Sequence, residues 1–252
     1  MSGHSKWSTI KRKKAKMDAQ RGKLFTRLIK DIIIAARDGG GDESANPRLR
    51  AAIAAAKAAN MPAANIERAI KKGTGELEGV RYEEGILEGY GPGGAAIYLE
   101  ILTDNRNRTI SEVRHLFTKY GGNLAESGAV SWLFEKKGVI HIPRNGHEED
   151  ELLMIVLDAG AENIKTEDEF FEITTAPEHL ENVKAALTSN AIEIESAHLT
   201  MYPKNTVKVE GKDAEQLLKL MNALEDHDDV QNVYSNFDID AALIEQMEES
   251  GD

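Results

Sequence analysis

The sequence predicts an α+β protein: an N-terminal three-helix bundle with a basic arm, followed by two ferredoxin-like split βαβ domains. Between residues 22 and 75, apolar side chains recur every three or four positions, which is the spacing of amphipathic helices. After residue 80 they alternate instead, and strand-like runs interleave with helical ones. Four strand–helix–strand units of this kind make two split βαβ sandwiches.

The N-terminal part predicts an arm and three helices. Residues 1–21 lack an apolar stripe and are expected to form a mobile arm. Asn46 and Pro47 are typical of the first residues of a second helix, and Pro62 of a third. The first helix is expected from Lys23 to the glycines at 39–41, with an apolar stripe of Phe25, Leu28, Ile29, Ile32 and Ala36.

The remaining elements follow from alternation and turn signals. Residues 96–102 predict a strand, and Thr109 and Glu112 have the spacing of a capping box at the start of the next helix. Alternating Val130, Trp132 and Phe134 predict another strand. Three further units are expected at 139–166, 170–201 and 206–236, with helices near 148–159, 177–189 and 213–225. These patterns leave open whether the units pair in order or whether the middle two are inserted between the outer two.

Composition excludes several classes of protein. The 252 residues include no cysteine, so disulfides, zinc–thiolate sites and cysteine nucleophiles are ruled out. The longest apolar run, Ile32–Ala36, is far too short to cross a membrane, so no membrane association is expected. A cytoplasmic location is the default expectation for such a chain.

Charge is divided very unevenly along the chain. The first 37 residues contain eleven Lys or Arg against two acids, although the whole chain has a net charge of −12. Residues 1–72 carry +11, which leaves −23 for residues 73–252. Lys and Arg bind nucleic acid largely independently of sequence, because neutralised phosphates release condensed counterions. A nucleic acid is therefore the expected partner, and the acidic part is suited to protein partners.

The expected nucleic-acid contacts lie in the arm and the first helix: Lys6, Trp7, Lys11, Arg12, Lys13, Lys14, Lys16, Arg21, Lys23 and Arg27. A secondary anion site is possible at Arg106 and Arg108, which lie between a strand end and a helix start. Asp104, Asn105 and Asn107 beside them are equally typical of a turn and a helix cap, and that structural interpretation is favoured.

Other motifs are interpreted structurally. Residues 89–94, with the sequence GYGPGG, match a dinucleotide-binding motif by letter but precede a strand, so they predict a tight turn. The acidic cluster at 225–229 lacks the features of a calcium loop and predicts a solvated turn. The seven histidines are scattered, without ligand spacing. No catalytic residue, cofactor or metal site is predicted.

Several long motifs resemble the YebC/PmpR family and match it in order and spacing across nearly the whole chain. They are Gly3–Trp7, Gly39–Asp42, Asn46–Arg50, Glu88–Gly94, Asp104–Thr109, Gly121–Leu124 and Lys136–Gly138. The resemblance implies three domains, with one α/β domain inserted in the other. The expected division is 1–78 for the arm and bundle, 79–136 with 204–240 for the discontinuous domain, 137–203 for the insertion and 241–252 for an acidic tail.

The resemblance also implies a non-enzymatic regulator of gene expression. Such proteins are described as probable DNA-binding transcriptional regulators, and this is the first expectation for the chain. The alternative is a ribosome-associated translation factor or translational activator that binds ribosomal RNA. Further partners are expected among the ribosome or the transcription machinery, through the acidic domains. The family offers no catalytic residues to transfer.

Overall fold

The N-terminal helices form the bundle that the apolar spacing predicts. The computed structural model describes residues 18–79, 81–167, 169–240 and 242–244, with side chains from residue 22 onward. Helices α1 (Asp18–Gly39), α2 (Pro47–Ala58) and α3 (Ala63–Gly73) surround a core that includes Leu28, Ile32, Ala36, Leu49, Ile53, Ile66 and Ala69. The expected start of the first helix at Lys23 is wrong, because α1 begins at Asp18.

Polar groups determine where α2 begins. The Asn46 side-chain oxygen accepts a hydrogen bond from the Leu49 amide at 3.0 Å, and Pro47 occupies the first helical position. The Asn46 side-chain amide donates to the carbonyls of Ala35 and Gly40 at 2.7 and 2.8 Å. The predicted cap is therefore confirmed, and it also ties α2 to the end of α1.

The rest of the described chain alternates strands and helices. The strands are β1 Glu83–Tyr90, β2 Ala96–Thr103, β3 Asn123–Leu124, β4 Phe134–Pro143, β5 Ala161–Thr166, β6 Phe170–Thr175, β7 Ser196–Pro203, β8 Val207–Lys208, β9 Val230–Ser235 and β10 Phe237–Asp238. The helices are α4 Arg106–Lys119, α5 Glu149–Val156, α6 Leu180–Ser189 and α7 Gly211–Glu225.

Two antiparallel sheets are nested along the chain. The first has the strand order β3-β1-β2-β9, and α4 and α7 cover one of its faces. The second has the order β5-β6-β4-β7, the ferredoxin-like arrangement, and is backed by α5 and α6. Since β9 pairs with β2, the chain leaves the first sheet after β3, builds the second and then returns. The α+β class with N-terminal helices and antiparallel sheets is confirmed.

Three local predictions give different outcomes. Residues 92–94 form a short 3₁₀ turn between β1 and β2, with φ of 70° at Gly93 and 77° at Gly94, so the predicted turn is confirmed. The capping box at Thr109 is wrong, because Asn105 caps α4 by accepting from the Arg108 amide at 3.1 Å. The strand through Trp132 is also wrong: residues 131–133 form a 3₁₀ turn, and β4 begins only at Phe134.

Candidate nucleic-acid interface

Most of the expected nucleic-acid contacts lie in the undescribed N-terminal segment. Lys6, Trp7, Lys11, Arg12, Lys13, Lys14 and Lys16 are outside the described residues, and so is the side chain of Arg21. Only Lys23 and Arg27, on α1, are described with their side chains. Their surroundings show how the basic segment connects to the acidic remainder of the chain.

Lys23 and Arg27 both contact the acidic turn, which we define as residues 225–229 between α7 and β9. The Lys23 ammonium lies 3.2 Å from Asp226 Oδ1, and the Arg27 guanidinium donates to the Glu225 carbonyl. Partial burial lowers the pKa of Arg27, although the neighbouring acids, with Glu225 first, oppose this effect. These two cations therefore already have acidic or carbonyl partners within the protein.

One helical turn further along α1, Lys30 makes a buried ion pair with the same turn. Its Nζ lies 2.9 Å from Asp229 Oδ1, and the two side chains are only 6% and 7% exposed. The same ammonium donates to the carbonyls of Leu102 and Asp228 at 3.1 and 3.0 Å. All three N–H donors of Lys30 are thus used, which makes the burial of its charge tolerable.

The other carboxylate oxygen of Asp229 gathers side chains from α4 and β2. Arg108 Nη2 and Thr109 Oγ1 each donate to Oδ2 at 2.8 Å, and Thr103 Oγ1 donates at 3.2 Å. Burial would raise the pKa of Asp229, but the hydrogen bonds from Arg108, Lys30 and Thr109 outweigh burial and hold the pKa well below its usual range. The prediction of a solvated turn is therefore wrong at Asp229, which is buried and joins three elements.

Arg106 and Arg108 do not converge on a common anion site in the structure. Arg108 points to carboxylates, with Asp104 and Asp229 both at 2.8 Å, and these hydrogen bonds raise its pKa. Arg106 lies over β1, where its Nη1 would be 2.9 Å from a Cβ added at Gly85. The two guanidinium groups have different neighbours, and Asn105 is the helix cap.

A cleft of about 1060 Å³ opens between α1, α4 and the acidic turn. Within it Glu112, His227 and Asp229 bring their ligand atoms within 4.8 Å of one another, a spacing that a metal ion could bridge. The His227 Nε2 is, however, 3.1 Å from Glu112, and Asp229 already faces Lys30 and Arg108. Two neighbouring cations oppose a divalent ion, so this arrangement fits an ion-pair network better. The lining residues include Lys23, Thr26, Tyr82, Ser111 and His115.

Asp31, a carboxylate on α1 itself, has charges of both signs around it. Asp31 faces Arg48 and Arg27 but also the carboxylates of Glu84 and Glu100. Burial, which disfavours the charged form, raises its pKa from the ordinary 3.8 to about 6, and the two arginines only partly offset this. At neutral pH, burial therefore disfavours the charged form of Asp31, in the same helix whose Lys30 pairs with Asp229.

The structure adds a group of exposed cations that the sequence analysis did not single out. Arg68, Lys71 and Lys72 lie on α3, and Lys57 lies near the end of α2. Arg68 is three and four residues from the two α3 lysines, so the three share one side of the helix. The count of basic residues up to position 72 contained this signal, but it did not separate these residues from the α1 cations.

Two segments of the chain match domains of one protein family. Residues 5–76 match "TACO1/YebC protein N-terminal domain", and residues 82–237 match "TACO1/YebC second and third domain". None of the described helices combines the length and hydrophobicity needed to span a bilayer.

Similar proteins cover almost the full length of the chain. A probable transcriptional regulatory protein of Pelotomaculum thermopropionicum is 59% identical over 95% of this chain and 100% of its own length. One of Thermotoga petrophila is 59% identical over 98% of both chains. A crystal structure of a conserved hypothetical protein from Aquifex aeolicus has a TM-score of 0.77 and 54% identity, covering 90% of this chain and 93% of its own. This chain therefore belongs to the TACO1/YebC family.

Proposed function

We propose that this protein is a non-enzymatic, nucleic-acid-binding regulator of gene expression that acts as a DNA-binding transcriptional regulator. The observation that carries the proposal is the charge distribution, with +11 in residues 1–72 and −23 in the remainder. Relatives that match nearly the whole chain at 59% identity are named probable transcriptional regulatory proteins, which agrees with it. The proposal includes a cytoplasmic location.

The proposed interface consists of the basic arm and the exposed side of α3. The arm supplies Lys6, Lys11, Arg12, Lys13, Lys14 and Lys16, with Trp7 beside them, and α3 supplies Arg68, Lys71 and Lys72. The net charge of −23 on residues 73–252 disfavours phosphate over most of the acidic part. In this proposal the discontinuous and inserted domains position the interface or contact proteins of the transcription machinery.

The contacts of α1 support a fixed orientation of the interface. The three α1 cations Lys23, Arg27 and Lys30 bind the acidic turn, so the helical bundle is attached to the first sheet along this helix. Attachment of this kind would hold the acidic part in a constant position relative to the bundle. In sequence, Arg21, Lys23 and Arg27 lie between the arm lysines, which would bind phosphate, and Lys30, which binds the acidic turn.

The salt dependence of binding to duplex DNA tests the proposal. If six to ten basic side chains contact phosphate, affinity falls roughly 10³- to 10⁵-fold between about 50 and 200 mM salt. Replacing Lys11, Arg12, Lys13, Lys14 and Lys16 with Gln should reduce the slope of log affinity against log salt by about 4 to 5. The matched control replaces five lysines of the acidic part with Gln, which changes the net charge equally: Lys119, Lys184, Lys208, Lys212 and Lys219.

The two variants separate specific placement of charge from total charge. The arm variant should lose most duplex binding, whereas the control should keep the parental slope. Equal loss in both variants, or a flat salt profile for the parent, would contradict the proposal. Ribosome co-sedimentation at matched salt completes the test. If the protein pellets with ribosomes only when the arm is intact, and does not bind duplex DNA, then the process it regulates is translation and not transcription.

A further inference from the structure

Trp132 is a large aromatic side chain that the fold holds at the surface. It lies in the 3₁₀ turn just before β4, and 64% of the residue is exposed. A single exposed apolar side chain is common and by itself indicates nothing. The side chain of Trp132 and the backbone around it are, however, held by several hydrogen bonds.

The indole is fixed by its edge. Its Nε1 donates to the Ala129 carbonyl at 3.0 Å, and the Tyr90 hydroxyl donates to the same carbonyl at 3.0 Å. An indole N–H lies in the plane of the ring, so this hydrogen bond sets the ring's orientation without covering its faces. Trp132 therefore presents a flat aromatic surface in a defined position.

A buried carboxylate fixes the loop that carries the indole. Glu88, on β1, accepts hydrogen bonds from the amides of Gly128, Val130 and Ser131 at 2.7, 2.7 and 2.8 Å. Burial would raise the pKa of Glu88, but these amide hydrogen bonds outweigh it and keep the pKa below its ordinary value. The carboxylate stays charged at neutral pH, so the loop remains attached to the sheet.

A lysine contacts the backbone of the turn that carries Trp132. The Lys204 ammonium donates to the Trp132 carbonyl at 3.0 Å, and the Lys204 amide donates to the Leu133 carbonyl at 2.9 Å. This contact uses one of the three N–H donors of the ammonium. Lys136 is also exposed and lies four residues after Trp132, within about 14 Å along the chain.

We propose that Trp132 stacks on an unpaired base of a bound nucleic acid, while Lys204 and Lys136 contact the flanking phosphates. Aromatic side chains in a cationic setting bind single-stranded nucleic acid in this way, because every base offers a π face. The inference rests on the proposed nucleic-acid function and adds a second contact, distant in sequence from the arm. Exposed tryptophans also anchor protein partners, but the Lys204 ammonium at the Trp132 backbone favours a polyanion.

Tryptophan fluorescence tests this contact directly, because the sequence contains only two tryptophans, Trp7 and Trp132. In a full-length Trp7→Phe variant, tryptophan emission reports on Trp132 alone. The probes are a mixed-sequence single-stranded DNA of roughly 12 nucleotides, within the usual site sizes, and the same sequence as a duplex. Stacking should quench the emission in a saturable manner with the single strand, and much less with the duplex.

Affinities measured by anisotropy of labelled DNA provide the second measurement. Trp132→Ala should weaken single-strand binding roughly 5- to 150-fold, and Trp132→Phe should retain most of the parental affinity. Met154→Ala, which truncates an exposed apolar side chain on α5, is the matched control and should have no effect. Because Trp132 is exposed, circular dichroism should show all three variants folded.

The outcomes distinguish this inference from the function on which it rests. Saturable duplex binding with unchanged Trp132 emission, and with Trp132→Ala binding the single strand like the parent, overturns the stacking contact alone. Equal quenching by duplex and single strand overturns the requirement for an unpaired base. If the parent binds neither DNA at any salt concentration, both the proposed DNA-binding function and this contact are wrong.

Discussion

The cations of α1 and those of α3 come from one basic stretch of sequence but have different environments in the fold. On α1, Lys23, Arg27 and Lys30 reach the acidic turn, and Lys30 is buried against Asp229. On α3, Lys71 and Lys72 are exposed. A count of charges treats all of them alike. The difference teaches that part of a basic segment can be used to attach it to its own protein.

The largest expected effect is on the attachment of α1. Replacing Asp229 with Ala leaves the Lys30 ammonium buried without its carboxylate, and breaking a buried pair in this way costs about 3–5 kcal/mol. The free energy of unfolding, measured with urea at pH 7, should fall by that amount. Asp226→Ala is the matched control: its side chain is 66% exposed, so loss of its pair with Lys23 should cost at most about 1 kcal/mol.

The pH dependence of the same pair has a definite sign. The pKa of Asp229 is lower in the folded than in the unfolded protein, so its contribution to stability is present above the ordinary pKa of Asp and is lost as the pH falls through the folded value. The difference in the free energy of unfolding between the parent and Asp229→Ala should therefore be constant from pH 6 to 8. Equal destabilisation by Asp229→Ala and Asp226→Ala would show that burial does not distinguish the two contacts.

Asp31 should show the opposite dependence on pH. Its folded-state pKa of about 6 lies above the ordinary 3.8, so its contribution is fully favourable below 3.8 and is lost as the pH rises through 6. Asp31→Asn should therefore be more stable than the parent at pH 7.5, by about 1–3 kcal/mol, and equal to it near pH 4. The measurement is urea denaturation at a series of pH values. A stability difference that does not change with pH would show that ionisation of Asp31 does not affect the free energy of unfolding.

The smallest effects concern the cations themselves, and they test the comparison most directly. Replacing Lys71 and Lys72 with Gln should lower the slope of log affinity against log salt for duplex DNA by about 2, if both contact phosphate. Replacing Lys23 and Arg27 with Gln changes the net charge equally, but should change the slope by less than 1, because both side chains already have internal partners. The reverse result would show that the nucleic acid displaces the acidic turn from α1.

The elements that the sequence predicted well are those set by local pattern. The helical spacing predicted three N-terminal helices, and alternation predicted the main strands of both sheets. Asn46 and Pro47 marked the start of α2, because a side-chain acceptor and a residue without an N–H fit the first turn of a helix. The nesting of the two sheets came only from the resemblance, since alternation does not specify which strand pairs with which.

Two of the local predictions that failed share one physical cause. Residues 131–133 form a turn while the amides of Gly128, Val130 and Ser131 are held by Glu88, which lies some forty residues earlier in the chain. Thr109 resembled a helix cap, yet its hydroxyl donates to Asp229, 120 residues away. In both places a buried carboxylate that is distant in sequence binds the groups concerned. A window of neighbouring residues does not contain that information.

By itself, the sequence determined the α+β class, the positions of most helices and strands, and the separation of a basic front from an acidic remainder, because periodicity, caps and charge are local properties. Only the tertiary structure decided which charges are available to a partner. It buried Lys30 against Asp229, directed Arg108 towards carboxylates, and left the cations of α3 and the ring of Trp132 exposed. Long-range packing sets burial and pairing, and these in turn set whether a charged or aromatic side chain stabilises the fold or remains accessible for binding.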